Sequence, residues 1–275
     1  MMTFYRILFA AGVALLLINI TGLFKTMRNP AVYTEEQTLH NRVNDISIKY
    51  PEIRDQFKRK DSESNKDFAL RINKVVNDGM IHYWKEAGIE KYHLRVPVWE
   101  NYMLYIASFI DPKHYRFYEF SSYRKNLERG VGLCSTHSII VKGVLLENNI
   151  KAELLDVGKH HVVVRAEPDD STVYILDPDF GVAVAADTAA ISANPELVRE
   201  PYGHLSEKYY PDAKDPYTTD FLVDIFGRKK YVYTVENWFE PFSYAAIWII
   251  PFLLLLPLLI KLTAERKIRH SKNRI

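Results

Sequence analysis

One cysteine in 275 residues is the chain's sharpest shortage. A single thiol excludes an intrachain disulfide and a thiolate-rich metal cluster, leaving Cys134 as either inert core filler or a reagent. Charge of one sign is missing too. A formal net charge of +2 gives no reason to expect a polyanionic partner, no zinc-finger or RNA-reading signature is present, and nucleic acid is not expected. There is no internal repeat and no low-complexity tract. Disorder and collagen-like structure are excluded by what is plentiful, since 48% of residues are hydrophobic and 13% aromatic, ample for a packed core.

The apolar residues are crowded at the two ends. Ile7 to Phe24 carries no charge and includes Leu15, Leu16, Leu17, Ile18 and Ile20. A bilayer-crossing helix needs roughly 20 apolar residues, with a lower limit of about 17. The run closes on Asn19-Ile20-Thr21-Gly22-Leu23-Phe24, a poor cleavage site, so it reads as an uncleaved anchor rather than a signal peptide. The second stretch, Pro241 to Ile260, is the firmer span. Pro251 and Pro257 would break a soluble helix, but a membrane helix tolerates proline when neighbours re-satisfy the freed carbonyls. Trp238, Tyr244 and Trp248 stand where an interfacial aromatic belt is expected.

Lys261, Arg266, Lys267, Arg269, Lys272 and Arg274 follow the second span against Glu265 alone, which orients the C-terminus to the cytoplasm. Two spans then put the N-terminus there as well. The expected organisation is a cytoplasmic segment 1–6, a span at 7–24, an extracytoplasmic domain at 25–240, a span at 241–260 and a basic cytoplasmic tail at 261–275. That describes a two-pass protein of the cell (inner) membrane, with the lipid bilayer as a partner and the middle domain in the periplasm or outside the cell. Its protein partners are not readable.

Within the middle, Leu39, Val43, Ile46 and Tyr50 recur at helical spacing and predict a first amphipathic helix. Arg59 to Ser64 reads as a connector, and Phe68, Ile72, Val75, Val76 and Met80 form a second apolar stripe that Ser64 or Asn65 can cap. Trp99, Met103, Ile106 and Ile110 form a third, stopped by Asp111-Pro112; all three read as core faces. Gly130 to Leu133 reads as a loop before a helix from Cys134 to Glu147, which the Asn148-Asn149 pair can end in the left-handed conformation. Three β-like runs follow, at 151–157, 160–167 and 172–176. The tyrosine-rich segment from Tyr202 to Tyr233 resists assignment; near residue 210 it reads as surface packed toward the membrane.

The order loop, Cys, helix, strand, His, strand, Asp has chemical meaning. Partial positive charge at a helix N-terminus favours thiolate over thiol, an imidazole beside it completes a thiolate–imidazolium pair, and a carboxylate behind the imidazole fixes its tautomer. Cys134 opens the predicted helix, His161 begins a strand and Asp177 ends the next. His160 and Asp179 are the rivals. Neighbours on a strand point to opposite faces, so at most one of the two histidines can meet the thiol.

Gly132-Leu133-Cys134, the helix ending near Ile150, His161-Val162-Val163-Val164 and Leu176-Asp177-Pro178-Asp179-Phe180-Gly181 resemble the core of the transglutaminase-like superfamily. The resemblance covers roughly residues 65 to 185, with sharp motifs from 130 to 181. It implies an α+β, papain-like core, in which the helix carrying the cysteine packs on an antiparallel sheet, held between two transmembrane helices. It also implies Cys134 as nucleophile, His161 as general base and acid, and Asp177 as the orienting carboxylate, with no organic cofactor and no metal. The implied activity is that of a cysteine peptidase or acyltransferase acting on an amide or ester of a peptide or cell-envelope component through a cysteinyl thioester. The arrangement is similar to that of membrane-anchored bacterial transglutaminase-like domain proteins.

Asn149 stands where the family usually has glycine, and Glu128, six residues before the cysteine, stands where papain-type enzymes place an oxyanion glutamine. The backbone N–H of Cys134 supplies one oxyanion donor; Tyr118, Tyr123 and Asn126 are candidates for the second. That gap supports a different class of function, a catalytically inactive papain-like module that binds or scaffolds an envelope or polysaccharide assembly. A third reading takes His137, three residues after Cys134, with His160 and His161 as a zinc site, although such sites ordinarily use more thiolates or a nearby glutamate.

Overall fold

The computed structural model describes residues 2–35, 37–38, 42–43, 46–158, 161–169, 172–208, 219–228, 231–235 and 237–272. In chain order come helix α1 (Met2–Gly22), strands β1 (Gln37–Thr38) and β2 (Arg42–Val43), helices α2 (Tyr50–Gln56) and α3 (Asn65–Gly79), and strand β3 (Ile81–His82). Helices α4 (Gly88–Lys91), α5 (Val98–Ile110), α6 (Pro112–Tyr115) and α7 (Tyr123–Arg129) lead to strand β4 (Val131–Gly132) and helix α8 (Cys134–Glu147). Strands β5 (Lys151–Asp156), β6 (Val162–Glu167), β7 (Tyr174–Asp177) and β8 (Val182–Val184) follow in succession. Helices α9 (Thr188–Ala193), α10 (Arg199–Lys208) and α11 (Thr219–Phe226), strand β9 (Tyr231–Val232) and helix α12 (Phe239–Lys272) complete the order. The chain is α+β and divides into two compact units.

The first unit comprises residues 1–26, 95–118 and 237–275 and is helical. Two of its helices, α1 and α12, are long and apolar enough to cross a membrane. They pack on each other through a close approach, because a side chain at Gly12 would meet the Pro251 carbonyl oxygen at 2.8 Å. Pro251 has no N–H and cannot hydrogen-bond back to the carbonyl of Ile247, one turn earlier. That carbonyl instead accepts from Asn19 Nδ2 of α1 at 2.6 Å and from the Tyr102 hydroxyl of α5 at 3.2 Å. Neighbouring helices thus satisfy the group that proline freed. The stripe Trp99, Met103, Ile106 and Ile110 is not a core face: Ile106 and Ile110 are exposed, and α5 belongs to this unit.

The second unit comprises residues 27–94 and 119–236 and holds a five-stranded antiparallel sheet in the order β8-β7-β6-β5-β9. The central strands β6 and β7 are buried on both faces, which is why they read as apolar runs. Successive side chains point to opposite sides, so Leu154, Val164 and Leu176 join one core while Leu155, Val163 and Ile175 join another. The first core is completed by Phe68, Ile72 and Val76 of α3 and by Ile140, Val141 and Val144 of α8. Burying each such side chain stabilises the fold by about 1.5–3 kcal/mol. Ser64 caps α3 through its hydroxyl, which accepts from Asp67 N–H at 3.0 Å. Asn149 closes the α8 end with φ 59°, the left-handed conformation.

Two expectations fail here. Val43 lies in β2 and the helix begins only at Tyr50, so no single amphipathic helix runs from 39 to 50; Leu39 lies outside the described residues. Gly130 to Leu133 is not simply a loop, because Val131 and Gly132 pair in parallel with Ile81 and His82. The tyrosine-rich segment around residue 210 lies outside the described residues.

Candidate active site

Cys134 is the first residue of α8, where the orphan N–H groups of a helix concentrate partial positive charge. The approach to it is fixed by close packing. A side chain at Gly132 would meet the Thr136 Cβ at 2.4 Å, so only glycine fits there. Thr136 Oγ1 in turn accepts from the Leu133 N–H at 3.2 Å. Gly130 has φ 78° and ends α7, with the Arg28 guanidinium against its Cα. Arg28 is buried and donates to the carbonyls of Leu127, Glu128 and Gly79 and to the Tyr33 hydroxyl. One side chain therefore holds the C-terminal ends of α3 and α7, directly upstream of the cysteine.

His161 enters from the hairpin joining β5 and β6, where its N–H donates to the Gly158 carbonyl at 3.0 Å. The register pairs Val164 with Leu176, so Val163 faces Asp177 and His161 is its diagonal neighbour on the same face. His161 Nε2 meets Asp177 Oδ2 at 2.7 Å. That leaves Nδ1 for Cys134, which lies near enough to act on the charge of the ring. The Ser138 hydroxyl, one turn beyond the cysteine, donates to the Val162 carbonyl at 2.8 Å and ties α8 to the histidine's strand. Cys134 and His161 are each less than a tenth exposed, and Asp177 is fully buried. Burial opposes charge on His161, but the Asp177 carboxylate and the Cys134 sulfur beside it raise its pKa well above the usual imidazole value.

Asp177 is itself held by three donors. Tyr202 of α10 donates to Oδ2 at 2.6 Å, His161 shares that oxygen, and the Asp179 N–H donates to Oδ1 at 3.1 Å. The rival carboxylate, Asp179, pairs instead with His82 Nδ1 at 2.6 Å. Burial opposes the Asp179 charge, yet His82, His137 and His161 hold its pKa well below the usual carboxylate range. His137 stacks on His82 and its Nδ1 donates to the Leu133 carbonyl at 2.8 Å; burial lowers its pKa against the opposing pull of Asp179. The turn carrying both aspartates is anchored on α3, where Asn73 donates to the Val182 carbonyl and Asn77 to the Asp179 carbonyl, each at 2.9 Å.

The three side chains named as second oxyanion donors are engaged elsewhere. Tyr118 donates to Glu240 in the helical unit, Tyr123 to Glu147 at the far end of α8, and Asn126 to the Phe120 carbonyl. Glu128 turns away to accept the Met27 N–H. Beside the start of α8 stands Glu119, which accepts from the Ser135 and Thr136 hydroxyls and from Tyr233. The Tyr233 hydroxyl also reaches Ser135, and burial together with the Glu119 carboxylate pushes its pKa up. Spacing hid these residues, and Asn73, Asn77, His82 and Tyr202 with them, because each acts through a partner distant in the chain.

Among the described residues, no group of three or more His, Cys, Asp or Glu side chains is placed to hold a metal ion. His160, one of the histidines of the zinc reading, lies outside the described residues. No family model, no curated protein and no solved structure matches this chain.

Proposed function

We propose that the protein is a membrane-anchored thiol enzyme of transglutaminase-like type with a papain-like core, acting on an amide or ester of a peptide or cell-envelope component. The observation that carries this reading is the His161–Asp177 pair, bonded at 2.7 Å, with Cys134 at a helix N-terminus near the same ring. The Cys134 thiolate attacks the carbonyl carbon, the C–S bond forms, and the Cys134 N–H donates to the developing oxyanion. His161 passes its Nδ1 proton to the leaving amine or alcohol as the old bond breaks. The same nitrogen then takes a proton from water or an acceptor amine, whose attack on the thioester releases the acyl group and restores the thiolate.

Helices α1 and α12 anchor the chain in the inner membrane with both termini cytoplasmic, which puts the catalytic unit in the periplasm or outside the cell. A second reading, an inactive module that binds or scaffolds an envelope assembly, is favoured by one observation: the three side chains named as second oxyanion donors bond elsewhere.

Incubating the full-length protein with a panel of peptide thioesters, followed by mass spectrometry, tests the enzyme reading. An acyl adduct on Cys134 that hydroxylamine removes, and that is lost in Cys134→Ser, is the expected result. A protein that never acylates, with a thiol no faster than a free cysteine, contradicts it and leaves the binding module. Impermeant maleimide on Glu86→Cys in Cys134→Ser tests orientation, since labelling in intact spheroplasts is expected and labelling only after lysis reverses it.

A further inference from the structure

Helix α5 is apolar on every side. No charged residue occurs between Glu100 and Asp111. Tyr102, Leu104 and Ser108 turn inward, while Ile106, Phe109 and Ile110 form an i, i+3, i+4 stripe that is 52%, 56% and 79% exposed. A helix apolar all round needs either a protein core or lipid around it.

The inward face is fixed to α12 by buried polar bonds. Asn101 Nδ2 donates to Ser243 Oγ at 2.8 Å and the Tyr102 hydroxyl donates to the Ile247 carbonyl. The outward stripe is therefore held within the same compact unit as the exposed apolar surfaces of α1 and α12, among them Leu17, Phe252 and Leu253. Whatever solvates those two helices solvates the stripe.

Length decides how α5 meets the bilayer. Asn101 is extended, and its Oδ1 accepts from the N–H groups of Met103 and Leu104, both at 3.1 Å, so the continuous helix starts after it. From Tyr102 to Ile110 the rise is about 14 Å, half of a hydrocarbon core of about 30 Å. The segment cannot cross. Asp111-Pro112 ends it, and exposed Lys113, His114 and Arg116 follow, side chains that phosphate headgroups attract.

We propose that α5 is an interfacial helix, seated in the lipid boundary with Ile106, Phe109 and Ile110 against acyl chains, so that three helices rather than two contact the bilayer. This rests on the reading of α1 and α12 as membrane spans.

Full-length Cys134→Ser protein carrying one introduced cysteine, at Ile110, Leu253 or Glu86, is labelled with an environment-sensitive fluorophore and reconstituted in phosphatidylcholine–phosphatidylglycerol vesicles. Quenching by nitroxide-labelled lipid is compared with quenching by aqueous iodide. The expected result is at least twofold lipid quenching at 110 and 253 with little iodide effect, and the reverse at Glu86. Lipid quenching at 253 with iodide quenching at 110, or with 110 sheltered from both quenchers, overturns the interfacial helix and leaves the spans standing. Loss of lipid quenching at both positions overturns the spans and the proposal together. Ile106→Cys, a second exposed position, guards against a local effect at 110.

Discussion

Tyr202 donates its hydroxyl hydrogen to Oδ2 of Asp177 at 2.6 Å, the same oxygen that meets His161 Nε2. Each bond to the carboxylate spreads its charge and weakens its hold on the imidazolium proton. Tyr202→Phe should therefore concentrate the Asp177 charge on the imidazolium and move the alkaline limb of the pH–rate profile to higher pH, with turnover falling several-fold. Loss of a buried hydrogen bond to a charged group also costs about 1.5–3 kcal/mol of stability. An unchanged alkaline limb would make Tyr202 a packing residue alone.

Opposite pKa shifts at His161 and Asp179 predict a two-sided pH dependence of folding. His161 is raised in the folded state, so its contribution is complete below the unfolded histidine value of about 6.5 and is lost as pH rises through the folded value. Asp179 is lowered, so its contribution is present above the unfolded carboxylate value of about 3.9 and is lost as pH falls toward the folded one. Melting temperature in detergent should decline on both sides. His161→Gln should flatten the alkaline side and Asp179→Asn the acid side.

How much of this was legible in the sequence depended on how far apart the interacting residues lie. Helix α8, its end at Asn149 and strands β5 to β7 follow from local periodicity and turn chemistry, and the structure has them at or within two residues of the expected bounds. His161 Nε2 and Asp177 Oδ2 meet and Cys134 lies near the ring, a grouping that spacing alone did not single out. Tyr202, His82, Asn73 and Asn77 were not legible, because each acts through one contact tens of residues away that leaves no local period. Helix α5 misled for a different reason: an apolar stripe reads the same whether protein or lipid covers it.

Arg28 illustrates a long-range dependence that can be measured. Its guanidinium satisfies the Gly79, Leu127 and Glu128 carbonyls inside the fold. Arg28→Met should orphan them and cost about 3 kcal/mol in thermal or denaturant unfolding. Arg28→Lys should not restore it, since a point charge cannot fork to several acceptors. Recovery by lysine would show that charge alone matters.

In the helical unit, Asn19 and Pro251 should be coupled. Asn19→Leu removes a donor to the Ile247 carbonyl and should cost about 1–2 kcal/mol. Pro251→Ala returns an N–H to that carbonyl, so the same Asn19 substitution should cost less in its presence. A double-mutant cycle in mixed micelles reads the difference, and additive costs would show that the two residues are independent.

The proposed chemistry requires Cys134 and His161 to form a thiolate–imidazolium pair, and the rate of alkylation of Cys134 by iodoacetamide across pH 4 to 10 tests it most directly. The pair predicts substantial reactivity on a plateau well below the ordinary thiol pKa of about 8.5, collapsing in His161→Ala to a single rise near that value. A wild-type profile with only the single rise, unaltered by His161→Ala, would contradict it.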